Sequence, residues 1–175
     1  LETDIITRKM PARVLKMDRL NDDVMLVQLQ MPSTEPFRYY AGQYLDFIFK
    51  DNVRRSYSIA VAPEEGKVLE LHIRHMPGGM FTDRLFGVGE RPIKEREILR
   101  IEGPLGTFFL REDSDKPMIF VASGTGFSPI KALMEDIIAK GIQRPITFYW
   151  GGRRPKDLYM NALVEQWAAD LPFFN

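Results

Sequence analysis

The stretch Pro117-Met118-Ile119-Phe120-Val121-Ala122-Ser123-Gly124-Thr125-Gly126-Phe127-Ser128-Pro129 decides how the C-terminal part of the chain folds. Residues 117–122 form a continuous apolar run, which reads as a strand buried on both faces of a parallel sheet. A glycine turn follows, then a helix whose apolar positions Ile130, Leu133, Met134, Ile137 and Ile138 recur at helical spacing. Pro129 suits its first turn and Gly141 its stop. Residues 146–150 read as a second strand and 158–169 as a second helix. Strand–helix–strand–helix implies a parallel, doubly wound sheet of the Rossmann-like kind. A strand that ends in Gly124-Thr125-Gly126 and opens a helix leaves backbone N–H groups beside the positive end of the helix dipole. Glycine lets an anion approach, because no Cβ fills the space. Glycines also serve strand–helix turns that bind nothing, so the turn marks a candidate phosphate site.

Upstream, the grammar is that of short strands. Leu69, Leu71 and Ile73 alternate with Glu70, His72 and Arg74, the period of a half-buried strand. Residues 12–20 and 24–31 read as strands around the turn cluster Asn21-Asp22-Asp23, and 45–49 and 97–102 as two more. One short helix fits 79–86. Many strands and few helices predict a small antiparallel barrel. The change of pattern at 112–116 divides the chain into a tail (1–9), a barrel unit (10–112) and an α/β unit (113–175). Two strands make a poor sheet, and Leu171-Pro172-Phe173-Phe174-Asn175 reads as the start of another. Leu1 is not a Met, so the sequence reads as an internal fragment.

Composition narrows the chemistry. Twenty-four basic residues balance 24 acidic ones in 175, with none of the excess of Lys and Arg that nucleic-acid or anionic-membrane binding favours. The absence of Cys removes disulfides, zinc thiolates, Cys nucleophiles and iron–sulfur ligation from this sequence. The two histidines, His72 and His75, fall on opposite sides of a strand, so no metal site is expected. No apolar run approaches the ~20 residues of a membrane span, and no signal peptide opens the chain, which predicts a cytoplasmic protein. Glu64 and Glu65 read as solvated turn residues, Trp150 and Trp167 as packing. What remains is chemistry carried by a bound organic cofactor.

Three further motifs bear on that cofactor. In Arg55-Ser56-Tyr57-Ser58, a strand puts Arg55 and Tyr57 on one face. A guanidinium grips phosphate with paired hydrogen bonds, a tyrosine ring lies against a flat heterocycle, and a serine hydroxyl bonds a ring nitrogen. An ordinary strand with a core tyrosine reads the same way. Pro77-Gly78-Gly79-Met80-Phe81-Thr82 is either a second anion nest, with Thr82 as a donor, or a hairpin exit. Gly103-Pro104-Leu105-Gly106-Thr107-Phe108-Phe109 reads by itself as a turn.

In this order, the four motifs resemble the ferredoxin–NADP reductase-like flavoenzymes over most of the chain from Met10 onward. Residues 71–82 and 102–111 look most like the CDP-6-deoxy-Δ3,4-glucoseen reductase subgroup, and Gly151-Gly152-Arg153-Arg154 with Asp157-Leu158-Tyr159 agrees. The resemblance implies a six-stranded barrel that binds FAD, followed by an α/β domain that binds NADH or NADPH. It assigns Arg55 to the FAD pyrophosphate, Tyr57 to the flavin ring and Ser58 to the hydride-accepting nitrogen, with Ser56 between them. It assigns His72, Ile73 and Arg74 to a flavin-lining strand that acts mainly through its backbone. Gly79, Met80 and Thr82 fall to the phosphate-side loop, and Gly124, Thr125, Gly126 and Pro129 to the nicotinamide-dinucleotide turn. The family's Cys-Gly motif by the nicotinamide, and the residues that choose NADPH over NADH, match nothing here. The subgroup's ferredoxin domain needs four Cys, so a two-iron two-sulfur cluster is expected on a separate domain or partner, and residues 1–9 resemble a linker. The implied activity is electron transfer from NAD(P)H through FAD to that centre, in deoxysugar synthesis or for an oxygenase. The alternative is a flavin-binding regulatory module without turnover.

Overall fold

The computed structural model describes residues 4–64 and 68–175. Glu65 and the first three residues of the expected tail lie outside them. Six antiparallel strands form the first unit: β1 (Arg8–Arg19), β2 (Val24–Gln30), β3 (Tyr44–Ile48), β4 (Arg54–Ser58), β5 (Leu69–Arg74) and β6 (Ile98–Leu105). They run in the order β4-β3-β6-β1-β2-β5. A bridge between Ile59 and Leu71 joins the two edges, so the sheet closes on itself. Alternation fills the interior: Val14, Leu29, Leu45, Phe47, Leu71, Ile73 and Ile101 are all inaccessible to solvent. Asn21 turns β1 into β2 by accepting the Asp23 and Val24 N–H groups, each at 2.8 Å.

Gly103, Pro104 and Leu105 are not a turn but the end of β6. A Cβ on Gly103 would stand 3.1 Å from that of Leu45 and 3.2 Å from Phe37, so the glycine lets neighbouring side chains close over the strand. The turn itself comes at Gly106, whose φ is +93°. The short helix α1 covers only Thr82–Leu85, with Gly78 and Gly79 in the turn before it.

The second unit pairs β7 (Met118–Ser123) with β8 (Ile146–Gly151) in parallel, connected through α2 (Phe127–Ala139) and followed by α3 (Asn161–Asp170). Gly141, at φ +67°, ends the α2 segment as expected. Phe174 makes an isolated parallel bridge to Ile146 of β8. β7 is not buried on both faces. Met118, Phe120, Ala122, Phe148 and Trp150 join the helix-covered core, whereas Ile119 is 70% and Val121 73% exposed. Among the described residues both helices lie on one side, and nothing covers the other. The reverse correction applies to β5. Its polar face is solvated only at Arg74, because α2 packs over Glu70 and His72 and buries the histidine.

Candidate functional site at the barrel edge and the cleft between the units

Arg55 and Tyr57 lie on one face of β4, opposite Phe47 and Leu45 of β3. Arg55 is exposed; its guanidinium donates only to the neighbouring Arg54 carbonyl, at 2.8 Å, and pairs with no carboxylate among the described residues. Arg54, on the other face, is held by Glu102 and by Asp46 at 3.4 Å. Ser56 shares that face and donates to Asp46 Oδ1 at 2.5 Å, so its hydroxyl is committed to the fold. Ser58 lies opposite Tyr44 at the strand end and is half-buried. The four residues therefore split, Arg55 and Tyr57 on one side, Ser56 and Ser58 on the other.

Tyr57 packs its ring edge-on against Phe47 at 5.9 Å and at a tilt against Phe81 at 6.0 Å. Burial pushes its phenol up to about 12, with Arg55 pulling weakly the other way, so the side chain is neutral at physiological pH. It offers a packing surface, not an acid or base. Phe81, fully buried, also meets Phe47 at 4.9 Å and so seats the Gly78–Gly79 turn beside β4. A Cβ on Gly79 would lie 2.8 Å from the Thr82 hydroxyl and 2.9 Å from the Met76 carbonyl, which no side chain tolerates. Thr82 is buried; its hydroxyl accepts the Met76 N–H and donates to the Met76 carbonyl, both at 3.1 Å. It closes the turn and does not reach out to a phosphate. Met80 is exposed beside it. An unpaired guanidinium, a neutral aromatic on the same face and a glycine turn without side-chain bulk fit a flavin carrying a pyrophosphate.

The second part of the site is a cleft of about 460 Å³ between the units. Asn21, Asp23 and Arg74 line it from the barrel; Ser123, Gly124, Thr125, Gly152 and Arg153 line it from the α/β side. Gly124 takes a φ of +53°, which glycine adopts without strain, and its carbonyl accepts the Trp150 indole N–H at 3.0 Å. Gly126 would find only ordinary contact, 3.6 Å to Ala122, if it carried a Cβ. Pro129 sits in the first turn of α2 and does not line the cleft. The opposite wall is a loop folded around Asp157, whose Oδ2 accepts the N–H groups of Arg153 at 3.1 Å and Arg154 at 3.0 Å. Arg154 is anchored to Asp23 at 2.6 Å and to Asp157 at 3.1 Å. Arg74 and Arg153 pair with no carboxylate among the described residues. Two arginines without a carboxylate partner among the described residues, one from each unit, thus line the same space as the glycine turn, a setting that favours an anion.

The predicted strand residues are spread over three environments. Ile73 is inside the barrel core and has only its backbone to offer, His72 is buried under α2, and Arg74 faces the cleft. Arg153 and Trp150 were not singled out as site residues from the sequence. The signal for the first was the Gly-Gly-Arg-Arg run; nothing in the sequence marks the indole bond of the second.

Residues 11–110 match the family described as oxidoreductase FAD-binding domain, and residues 120–174 that described as oxidoreductase NAD-binding domain. The CDP-6-deoxy-L-threo-D-glycero-4-hexulose-3-dehydrase reductase of Yersinia pestis is 39% identical over 93% of the chain and 47% of its own length. Reductase component 1 of terephthalate 1,2-dioxygenase from Comamonas is 36% identical over 95% of the chain and 48% of its own length. The crystal structure of the Amycolatopsis cytochrome P450 reductase GcoB superposes with a TM-score of 0.84 at 33% identity, covering 97% of this chain and 50% of that one. The chain spans about half the length of the curated relatives it matches.

Proposed function

This chain belongs to the ferredoxin reductase-like oxidoreductases with FAD- and NAD-binding domains, and from that premise we propose that it passes electrons from NAD(P)H through FAD to an iron–sulfur acceptor. FAD, when bound, supplies the two-electron to one-electron chemistry, and the protein supplies orientation and electrostatics. Arg55 would hold the FAD pyrophosphate, with the glycine turn at 78–79 giving it room. Tyr57 would cover one face of the ring, and Ser58 would offer its hydroxyl to the ring edge. The backbone of Ile73 would line the flavin from the adjoining strand. Gly124 and Thr125 would take the pyrophosphate of the nicotinamide dinucleotide, with Arg74 and Arg153 neutralising it from either wall. The acceptor would be the iron–sulfur centre of a deoxysugar-forming dehydrase or of an oxygenase system, in the cytoplasm where NAD(P)H is held. The relatives named for both systems support that choice of class.

The observation that carries the reading is the shared cleft, where unpaired Arg74 of the barrel and Arg153 of the α/β unit face one glycine turn. The test is direct. The purified chain should be yellow or should take up added FAD at one per chain, and NADH or NADPH should bleach the flavin band. A chain that takes up no FAD at micromolar concentration overturns the proposal.

A further inference from the structure

A buried polar chain joins the two units at a place the proposed function does not use. The His72 side chain is inaccessible to solvent; its Nε2 lies 2.8 Å from Glu70 Oε2 and its Nδ1 2.8 Å from the Tyr159 hydroxyl. The same Glu70 oxygen lies 3.1 Å from Lys131 Nζ. Lys131 also donates to the Ala60 carbonyl at 3.1 Å and to Glu135 at 3.3 Å, and Glu135 accepts the Ala62 N–H at 3.1 Å. Glu70 and His72 belong to β5 and Ala60 and Ala62 follow β4, whereas Lys131 and Glu135 are on α2 and Tyr159 precedes α3.

The protons can be placed. Burial raises the Glu70 carboxyl, but His72 and Lys131 overcome it and hold it below the usual range, so it is ionised and only accepts. Burial lowers His72, against the pull of Glu70, and keeps the ring neutral. Nε2 therefore carries the hydrogen and donates to Glu70, and Nδ1 accepts the Tyr159 O–H. Every link is satisfied in one arrangement, and sliding one unit over the other would break several together. Buried ion pairs add little net stability, which makes a specific orientation the better reason for this one.

The chain continues into the cleft. Tyr159 meets Trp150 edge-on at 5.3 Å, Phe127 stacks on Trp150 at 4.2 Å, and the Trp150 indole holds the Gly124 carbonyl. On the barrel side, Arg74 follows His72 by two positions on the same face of β5. The Gly124 turn and Arg74, which line the cleft from the two units, are thus referred to one buried joint. We propose that Glu70, His72, Lys131 and Tyr159 are positioning residues, a bridge that fixes the Gly124–Gly126 turn against the barrel. Its consequence for hydride transfer rests on the proposed function; its hold on the turn does not.

Tyr159→Phe removes one hydroxyl, keeps the ring packing and leaves Nδ1 without a donor. Hydrogen exchange at the Phe127 amide, which donates to the Gly124 carbonyl, should quicken by roughly 5- to 150-fold, the range for a buried polar group left unpaired, while exchange in β1 and β6 stays within twofold. Lys131→Met should give the same pattern more strongly, and Lys131→Arg should restore most of it. In the FAD-loaded chain the limiting rate of reduction by NADH should fall ~10- to 100-fold, as for a misplacement on the order of 1 Å. Half-saturating NADH, FAD affinity and dithionite reduction should hold. Unchanged exchange at the turn in Tyr159→Phe overturns the bridge, as does equal acceleration across the barrel. A wild-type chain that NADH fails to reduce, with exchange at the turn still responding to Tyr159→Phe, refutes the proposed function and upholds the bridge.

Discussion

Replacing Arg55 by alanine should separate flavin binding from folding. The guanidinium is exposed, and its hydrogen bond runs to the carbonyl of the residue before it. A surface substitution of that kind stays within about 0.5 kcal/mol of wild-type stability. If Arg55 holds the FAD pyrophosphate, its loss removes charge-assisted hydrogen bonds that contribute ~1.5–3 kcal/mol, or roughly ten- to a hundredfold in Kd. FMN has the same ring system but no pyrophosphate, so its affinity should fall far less. Arg54→Ala supplies the contrast. Arg54 is tied to Asp46 and Glu102, so its removal should lower the urea midpoint and leave the ratio of FAD to FMN affinity intact. Flavin fluorescence titrations of both variants, with urea unfolding alongside, measure all four quantities. Equal losses of FAD and FMN affinity in Arg55→Ala would show that the guanidinium is not at the pyrophosphate.

Arg153→Ala and Arg74→Ala should each weaken NADH binding by roughly tenfold and reduce its salt dependence, read by titration of the FAD-loaded chain. An undiminished affinity in both would remove the dinucleotide from the cleft. Gly152→Ala brings a Cβ to 2.8 Å from that of Asp157, so the loop must shift; a loss of ~1–3 kcal/mol in urea unfolding is expected, with NADH affinity falling alongside. His72 has its proton affinity lowered in the fold, chiefly by burial, so the unfolded chain binds that proton first as pH falls. The stability it contributes is complete above the unfolded value near 6.5 and is lost below it, down towards the folded value. The urea midpoint should drop through that window, and the drop should shrink in His72→Asn; an identical profile in both would place the titration elsewhere.

The parts of the fold that sequence pattern revealed are those with a strict period. β5 alternates, α2 repeats its apolar positions at helical spacing, and the Asn21-Asp22-Asp23 cluster turns the chain where it should. Pattern failed where a neighbour distant in sequence decides the outcome. Gly103 and Pro104 have turn composition, yet the approach of Leu45 and Phe37 draws them into a strand. Thr82 has the chemistry of a phosphate donor, but the Met76 backbone takes both of its hydrogen bonds. His72 occupies a polar position in an alternating strand, and only the docking of α2 makes that position interior. Arg74, grouped with the flavin strand by its place in the chain, turns its side chain into the cleft, because the side-chain period carries it there.

A chain with no net charge can still hold two polyanionic dinucleotides, because binding depends on where cations are left unpaired and not on their excess. Two Arg-Arg pairs show how that is arranged. In Arg54-Arg55 the first guanidinium is locked by Asp46 and Glu102; in Arg153-Arg154 the second is locked by Asp23 and Asp157. Each locked arginine pins the backbone from one side. On the strand, alternation then sends Arg55 to the opposite face, and in the loop the Asp157 carboxylate holds the Arg153 N–H at the point where Arg153 lines the cleft. Asp46, Glu102, Asp23 and Asp157 in this way each take up the locked arginine of a pair and leave its neighbour without a carboxylate partner among the described residues. Under the proposed function, such a site would draw on local complementarity for a phosphate more than on long-range attraction for anions.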